Sequence, residues 1–447
     1  MQLLALVLAV AAPSIPFEKY TLPNGLEVIL SPDHRVPVVH VNLVYHVGSK
    51  DDPVHRTGFA HLFEHMMFQG SRDLAEDTWF KKLEAVGAFG INGTTNTERT
   101  NYFESVPSNE LELALWMESD RMGFLLDHVN EESFRNQQDA VRNERRQSYE
   151  MRPYGMIPKV SAESMFPPTH PYHYTTIGEH EDLVAAKVDD VKAFFRKYYA
   201  PSNATLCIAG DIDEAATKKL IEKYFGTLPK VPAPKRTPPA MVDAPVVKSL
   251  PMEANVQLAR FEYIWHGTTP FSADEPALDL LSDVLTGGKS SRLHKKLVYD
   301  LKVAQSVFAG SDVREYGGEF SITVTVKPGH TIDEVRKLVD AELVKIRKEA
   351  PAAAEMDRAK AKLEAGHIRG LESASGRAFQ LQNANHFTRD PGKANTELAR
   401  YLATTPEAVR AAAAKYLAPD KMLVITVVPN KEAPLAGRVI TAAQESK

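Results

Sequence analysis

The stretch Gly58-Phe59-Ala60-His61-Leu62-Phe63-Glu64-His65-Met66-Met67-Phe68-Gln69-Gly70-Ser71 decides how the rest of this chain is read. Two histidines four residues apart lie one above the other on the same face of a helix. His61 and His65 can therefore turn both imidazoles toward one ion. Glu64, three residues after His61, projects near that face without taking the same place. Imidazole suits zinc, and zinc held by three protein ligands with one position open is a catalytic arrangement. Phe59, Leu62, Phe63, Met66, Met67 and Phe68 make the segment apolar nearly all round, which predicts a buried helix. Two histidines and a carboxylate buried there without partners are costly, and a metal removes that cost. The bland alternative is a pair of half-buried histidines beside an ordinary helix glutamate.

The order His-x-x-Glu-His inverts the better-known His-Glu-x-x-His zinc helix. Two later segments extend the pattern: GAFGINGTTNTERTNYFESVP (87–107) and AVRNERRQSYEMRPYG (140–155). In content and order the three together resemble the insulinase/pitrilysin family of zinc metallopeptidases. The resemblance covers most of the chain and is most specific in the first third. It implies one Zn2+ per chain, with His61, His65 and Glu144 as ligands and Glu64 as the general base of an endopeptidase. Glu144 matches through Val141-Arg142-Asn143-Glu144-Arg145-Arg146, and Glu150 is its rival. Many family members carry an acidic residue two turns before the ligand glutamate; Gln137 stands there, which removes one carboxylate that could orient the site. The resemblance also implies that an extended peptide adds to the strand holding Asn92, Gly93 and Thr94, by backbone pairing. Residues 90–96 read as a strand, the alternative being that Asn92-Gly93 is simply a turn.

Composition bounds the alternatives. The chain has 447 residues, 43% hydrophobic and 25% charged, with a formal net charge of −5, which describes a globular protein of two or three domains. No long basic run points to nucleic acid or an anionic membrane. The single cysteine, Cys207, excludes an internal disulfide and reads as a buried strand residue. Residues 3–12 form an apolar run of signal-peptide length, and Ala9-Val10-Ala11 fits a small-residue cleavage pattern, but the basic leader is missing. Residues 1–12 are therefore expected to be a signal remnant of an exported or periplasmic protein, the alternative being a cytoplasmic chain with an apolar start. That run is too short to span a bilayer, and no other segment qualifies.

Along the chain, 17–33 reads as a hairpin turning at Pro23-Asn24-Gly25, and 37–48 as a further strand. Asp77 is the expected cap of a helix that stops at Gly87; two strands follow. Ser108 opens the next helix and Asn130 caps another. Residues 228–251 hold seven prolines and no helical period, the signature of an extended linker. Residues 191–211 parallel 409–429 at a constant offset of 218, so the chain is internally duplicated. The expected architecture is α+β: a zinc-bearing domain over 14–227 and a homologous non-catalytic domain over 252–437, each a mostly antiparallel sheet with helices packed on it. Where the second copy should carry the zinc helix it reads ALDLLSDVLTGGKSS, with no histidine pair.

The resemblance has a last implication. Family members enclose substrate in a chamber of four such domains, and a silent domain supplies an arginine and a tyrosine seven residues apart. After Ser290-Ser291-Arg292-Leu293, the aligned positions here are Val298 and Gln305, which can offer neither a guanidinium nor a phenol. The expectation is a heterodimer whose homologous partner supplies the pair, with Tyr299, Lys302 and Arg292 as substitutes within this chain. The competing reading is a non-catalytic assembly subunit of a related complex. A bare metal-binding module would not need Glu64.

Overall fold

The computed structural model describes residues 14–440 apart from 77, 241 and 243–247. The apolar N-terminal run and Asp77 lie outside the described residues.

The first half builds a six-stranded sheet from β1 (Glu18–Thr21), β2 (Glu27–Pro32), β3 (Val38–Tyr45), β4 (Phe89–Thr95), β5 (Thr100–Pro107) and β6 (Ala204–Gly210). Their order is β1-β2-β6-β3-β5-β4. The second half repeats it with β7 (Lys248–Ala254), β8 (Arg260–His266), β9 (Ala304–Asp312), β10 (Glu319–Val326), β11 (Leu423–Pro429) and β12 (Arg438–Val439), in the order β12-β7-β11-β8-β10-β9. Each sheet has one parallel pair, β2 with β6 and β7 with β11, and is otherwise antiparallel. Both halves mix helices with such a sheet, as the sequence predicts. The helices Val188–Tyr198 and Pro406–Tyr416 stand 218 residues apart at both ends. The last four residues of the proline-rich stretch, Lys248–Pro251, are already strand. The helix expected from Ser108 starts three residues later, because Ser108–Glu110 forms a single 3-10 turn.

The two faces of the first sheet are covered by different parts of the chain. Val39, Val41, Leu43 and Tyr45 of β3 point into a core shared with helices of the same half. Ile29, Cys207 and Ala209 point the other way and are covered by the helix Ala374–Thr388 of the second half. Ala378, Leu381 and Ala384 form its contact face, and the small residues let it lie close. Its Gln382 Nε2 donates to the Asn42 and Thr205 carbonyls at 2.9 and 2.8 Å, deep in the junction. The second sheet is covered reciprocally: Ile157 and Met165, from a first-half helix at Ile157–Met165, pack on Met252, Ile264, Leu423, Ile425 and Val427.

A histidine pair sits in this junction. The His46 and His386 rings stack 5.0 Å apart, with their Nδ1 atoms 2.9 Å from each other, and His46 Nε2 meets Thr205 Oγ1 at 2.9 Å. Burial pushes the His46 pKa down to about 3 and that of His386 well below the ordinary value. Both therefore stay neutral in the folded protein while unfolded histidines titrate near 6.5. The unfolded chain then binds more protons below that pH, so stability is present above it and falls as pH drops from about 6.5 toward 3. Urea unfolding between pH 7 and 5 should show the loss, and His386→Gln should show less of it. Equal pH dependence in both proteins would remove the pair from the explanation.

Candidate metal centre

The His-x-x-Glu-His segment forms a short helix, α1 (Phe59–Met66), whose start is held from a distance. Gly58 sits in the left-handed region at φ +86°, and a Cβ there would come 2.6 Å from the Ile177 carbonyl oxygen. The Asp52 carboxylate accepts from Gly58 N at 2.7 Å and Ala60 N at 2.8 Å, doing from six residues upstream what a local cap would do. Phe59, Ala60, Leu62, Phe63 and Met66 are buried, with Phe63 against Tyr199 and Phe195. His61, Glu64 and His65 occupy the single arc left half-open.

Three further helices in this half are α2 (Trp79–Ala85), α3 (Leu111–Phe124) and α4 (Glu131–Arg145). Asn130 caps α4 as expected, accepting from Glu132 N and Ser133 N. α4 packs on α1 and brings Glu144 to the histidines. Glu144 Oε2 lies 3.7 Å from His61 Nε2 and 3.3 Å from His65 Nε2, and the two rings stand 4.8 Å apart at 78°. Donors on a tetrahedron around zinc, at the usual bond lengths, are about 3.3 Å apart. The set fits zinc in both spacing and chemistry. Among the described residues, it is the one group of three such side chains close enough to share an ion. Burial lowers the His61 pKa to about 4, which keeps it neutral, and hydrogen bonding to His65 holds Glu144 below the usual carboxylate value. Neutral imidazole and ionised carboxylate are the forms that bind a metal. Glu150 is elsewhere: its Oε1 accepts from Arg145 Nη1 at 2.6 Å. Gln137 is half-buried on α4.

Glu64 is fixed from β4. Its Oε2 accepts from Thr95 Oγ1 at 2.5 Å, and burial raises its pKa. Gly93 packs directly beneath it; a Cβ there would lie 3.1 Å from Glu64 Cγ and 3.1 Å from Phe68. Thr95 escaped the sequence reading, although its place two residues after Gly93 on a strand puts both on one face. Asn92, Gly93 and Thr94 pair with Phe103, Tyr102 and Asn101 of β5, so Asn92-Gly93 is strand and not a turn. β4 is the last strand of its sheet, and its other edge pairs with no strand among the described residues.

The second half differs at the corresponding places. In place of α1 it has the helix Glu275–Thr286, without histidine. Val298 packs half-buried on its core, Gln305 is exposed on β9, and Tyr299 and Lys302 are exposed. Arg292 is committed within its own half, its Nε and Nη2 each 2.7 Å from the Glu355 carboxylate.

Two family models match the chain: insulinase (peptidase family M16) over residues 27–162 and peptidase M16 inactive domain over 185–363. The chain belongs to the peptidase M16 family. It is 28% identical to the zinc protease PqqE of Helicobacter pylori over 80% of this chain and 81% of that protein. It is 22% identical to the uncharacterized zinc protease YmxG of Bacillus subtilis over 80% of this chain and 85% of the relative. A crystal structure of a protease from Helicobacter pylori superposes with a TM-score of 0.86 at 26% identity, over 93% of this chain and all of that one. The periplasmic protease PqqL of Escherichia coli has a TM-score of 0.76 at 17% identity, and shows the M16 fold alone; this chain aligns over 97% of its length with 50% of that one. All four site residues lie inside the insulinase match, and the inactive-domain match holds none of them. No helix among the described residues is long and apolar enough to cross a membrane.

The packing of Gly93 generates a prediction. Gly93→Ala must push Glu64 or Phe68 aside, and overpacking of this kind costs about 1–3 kcal/mol. Denaturant unfolding should show that loss; a variant as stable as the parent would mean that the strand yields freely.

Proposed function

We propose that this protein is a zinc-dependent endopeptidase acting on peptides and extended segments. The observation that carries the reading is the meeting of His61, His65 and Glu144 at zinc-like spacing, beside a Glu64 fixed by Thr95. The zinc protease names of its relatives support it. His61, His65 and Glu144 would hold the metal, one ion per chain. Bound zinc supplies the Lewis acid that polarises a peptide carbonyl and makes water more acidic. Glu64 takes the proton of the attacking water and returns it to the leaving amine. Thr95 engages one oxygen of Glu64, and the other is assigned to the water. The free edge of β4 at Asn92, Gly93 and Thr94 lines up an extended substrate through its backbone, which favours shape over sequence.

In this reading residues 14–227 form the catalytic domain and 252–437 a homologous domain without the metal. The N-terminal apolar run supports an exported, periplasmic enzyme, and the structural relative PqqL of Escherichia coli is a periplasmic protease. Removing His61 or His65 by alanine should strip zinc, and Glu144→Gln should weaken it, measured by metal analysis. Glu64→Gln should keep zinc and lower turnover by about 10²–10⁴-fold. Full zinc in the alanine variants would overturn the ligand set. A zinc-loaded parent that cleaves no quenched peptide library would favour a non-catalytic assembly subunit.

The chain holds Val298 and Gln305 at the positions where the resemblance implies an arginine and a tyrosine, and its own Arg292 is already paired. These points support a heterodimer in which a homologous subunit completes the chamber and supplies that pair. Activity should rise on mixing with such a subunit while light scattering reports the heavier species. Full activity from a pure monomer or homodimer, with no gain on mixing, would refute the heterodimer.

A further inference from the structure

The turn between β4 and β5 carries an unusual charge. Glu98 lies at its tip, yet it is 3% exposed, and the groups around its carboxylate come from three separate segments. Lys50 Nζ reaches Glu98 Oε2 at 2.5 Å. The Tyr172 hydroxyl donates to Glu98 Oε1 at 2.5 Å. The third partner belongs to the second half: Glu315 N donates to Glu98 Oε1 at 3.3 Å.

Glu315 is part of the β9–β10 turn, residues 313–318, and that turn adds more. The Glu315 carboxylate pairs with Lys50, and Tyr316 N donates to the Tyr172 hydroxyl at 3.0 Å. The Tyr316 ring stacks on Tyr172 at 5.8 Å, and Lys50 lies over it at 5.2 Å. Burial penalises the Lys50 ammonium, but Glu98 and Glu315 outweigh that and raise its pKa. A buried cation between two carboxylates is costly to break from either side.

The turn is held on its backbone as well. Ser49 N and Lys50 N each donate, at 3.1 Å, to the Asn96 and Thr97 carbonyls. Asn96 Oδ1 accepts from Glu98 N and Arg99 N. From here the constraint runs into the site. Arg99 Nη1 donates to the Thr94 carbonyl at 2.9 Å, and Thr95, the last residue of β4, holds Glu64.

We propose that the silent second half is an in-cis brace for the site: its β9–β10 turn, through Glu98, Lys50 and Tyr172, fixes the β4–β5 turn and so the place of Thr95 and Glu64. The inference rests on the endopeptidase reading for its catalytic consequence, and on geometry alone for the brace. Glu98, Lys50, Tyr172, Glu315 and Tyr316 are positioning residues; they touch neither the metal ligands nor Glu64. A misplacement of Glu64 by about 1 Å is enough to cost up to about 10²-fold in rate, so a loosened turn acts on kcat.

The test is the double variant Glu315→Gln/Tyr316→Ala in the full chain, with Glu98→Gln as a second variant that strikes the centre of the cluster. Hydrogen–deuterium exchange should speed up across residues 94–100, with and without zinc, while β8 and β10 keep the parent's protection. Zinc content and KM should stay within twofold of the parent and kcat should fall about tenfold or more. Tyr316→Phe, which keeps the stacked ring, should retain parental exchange and turnover. Unchanged exchange across 94–100 overturns the brace; faster exchange with unchanged kcat overturns its link to Glu64. A parent that cleaves no peptide would refute the endopeptidase reading instead, and exchange alone would then decide the brace.

Discussion

A sheet that is apolar on both faces needs two covers, and here neither half covers both faces of its own sheet. The helix Ala374–Thr388 closes the far face of the first sheet, and Ile157–Met165 closes part of the second. Splitting the halves would strip apolar surface from both at about 25 cal/mol per Å2, and would leave Gln382 and the stacked histidines without their partners. The covering helix crosses the central strands β2, β3 and β6. β4 lies beyond them, at the end of the strand order, and so is an edge. An edge strand is an aggregation hazard unless it is short, bent or interrupted. β4 is interrupted: its register slips between Phe89 and Asn92, and Gly90 takes φ +62°. The part in clean register, Asn92–Thr95, is the part beside Glu64.

The candidate metal centre depends on the same core. A helix of eight residues has no stability of its own in water. α1 persists because five of its residues are buried and because Asp52 satisfies its first amides. That leaves one arc for polar side chains, and His61, Glu64 and His65 fill it. Glu144 then faces two imidazoles, and Thr95 holds the one carboxylate that is not a ligand candidate. Burial separates the roles: it favours a neutral His61, while hydrogen bonding to His65 favours an ionised Glu144 and burial raises Glu64.

Local signals in the sequence were legible. Asn130 before Glu131-Glu132-Ser133 is a favoured local cap, and the β1–β2 hairpin follows from Pro23-Asn24-Gly25. The histidine spacing placed two imidazoles on one face, and the duplication gave the fold twice over. Glu144 over Glu150 came from the resemblance, since both are helix glutamates six residues apart; the structure separates them by tying Glu150 to Arg145. Long-range choices were not legible. Periodicity tells that the helix Ala374–Thr388 has a face, not that the face belongs to the other half's sheet. Nor does anything near Arg292 announce that Glu355, sixty-three residues on, takes its guanidinium. The start of β7 inside the proline-rich stretch is of the same kind, because pairing with β11 overrides a local composition that reads as linker.

Comparison of the two halves shows why one copy could lack the histidine pair without losing its fold. Leu43 pairs with Tyr102 and, 220 residues on, Tyr263 pairs with Ile322, so the sheets share one register. In the first half the far-face residues Asn42, Arg99 and Asn101 form a hydrogen-bonded chain that ends on Thr94 of β4. Their counterparts Glu262, Glu319 and Ser321 line a cavity of about 520 Å3 with Arg260 and Arg314. Burial pushes both glutamates above their usual pKa there. The far face is thus used to stiffen the site strand in one copy and left hollow and charged in the other. On the near face, the half-exposed arc of Glu275–Thr286 carries Asp279, Ser282 and Asp283, 218 residues after His61, Glu64 and His65 of α1, while the apolar residues of both helices are buried. Exchanging one set of polar side chains for another on such an arc changes chemistry while leaving the apolar core in place, whereas the β9–β10 turn, which meets the other half through buried charge, has no such freedom.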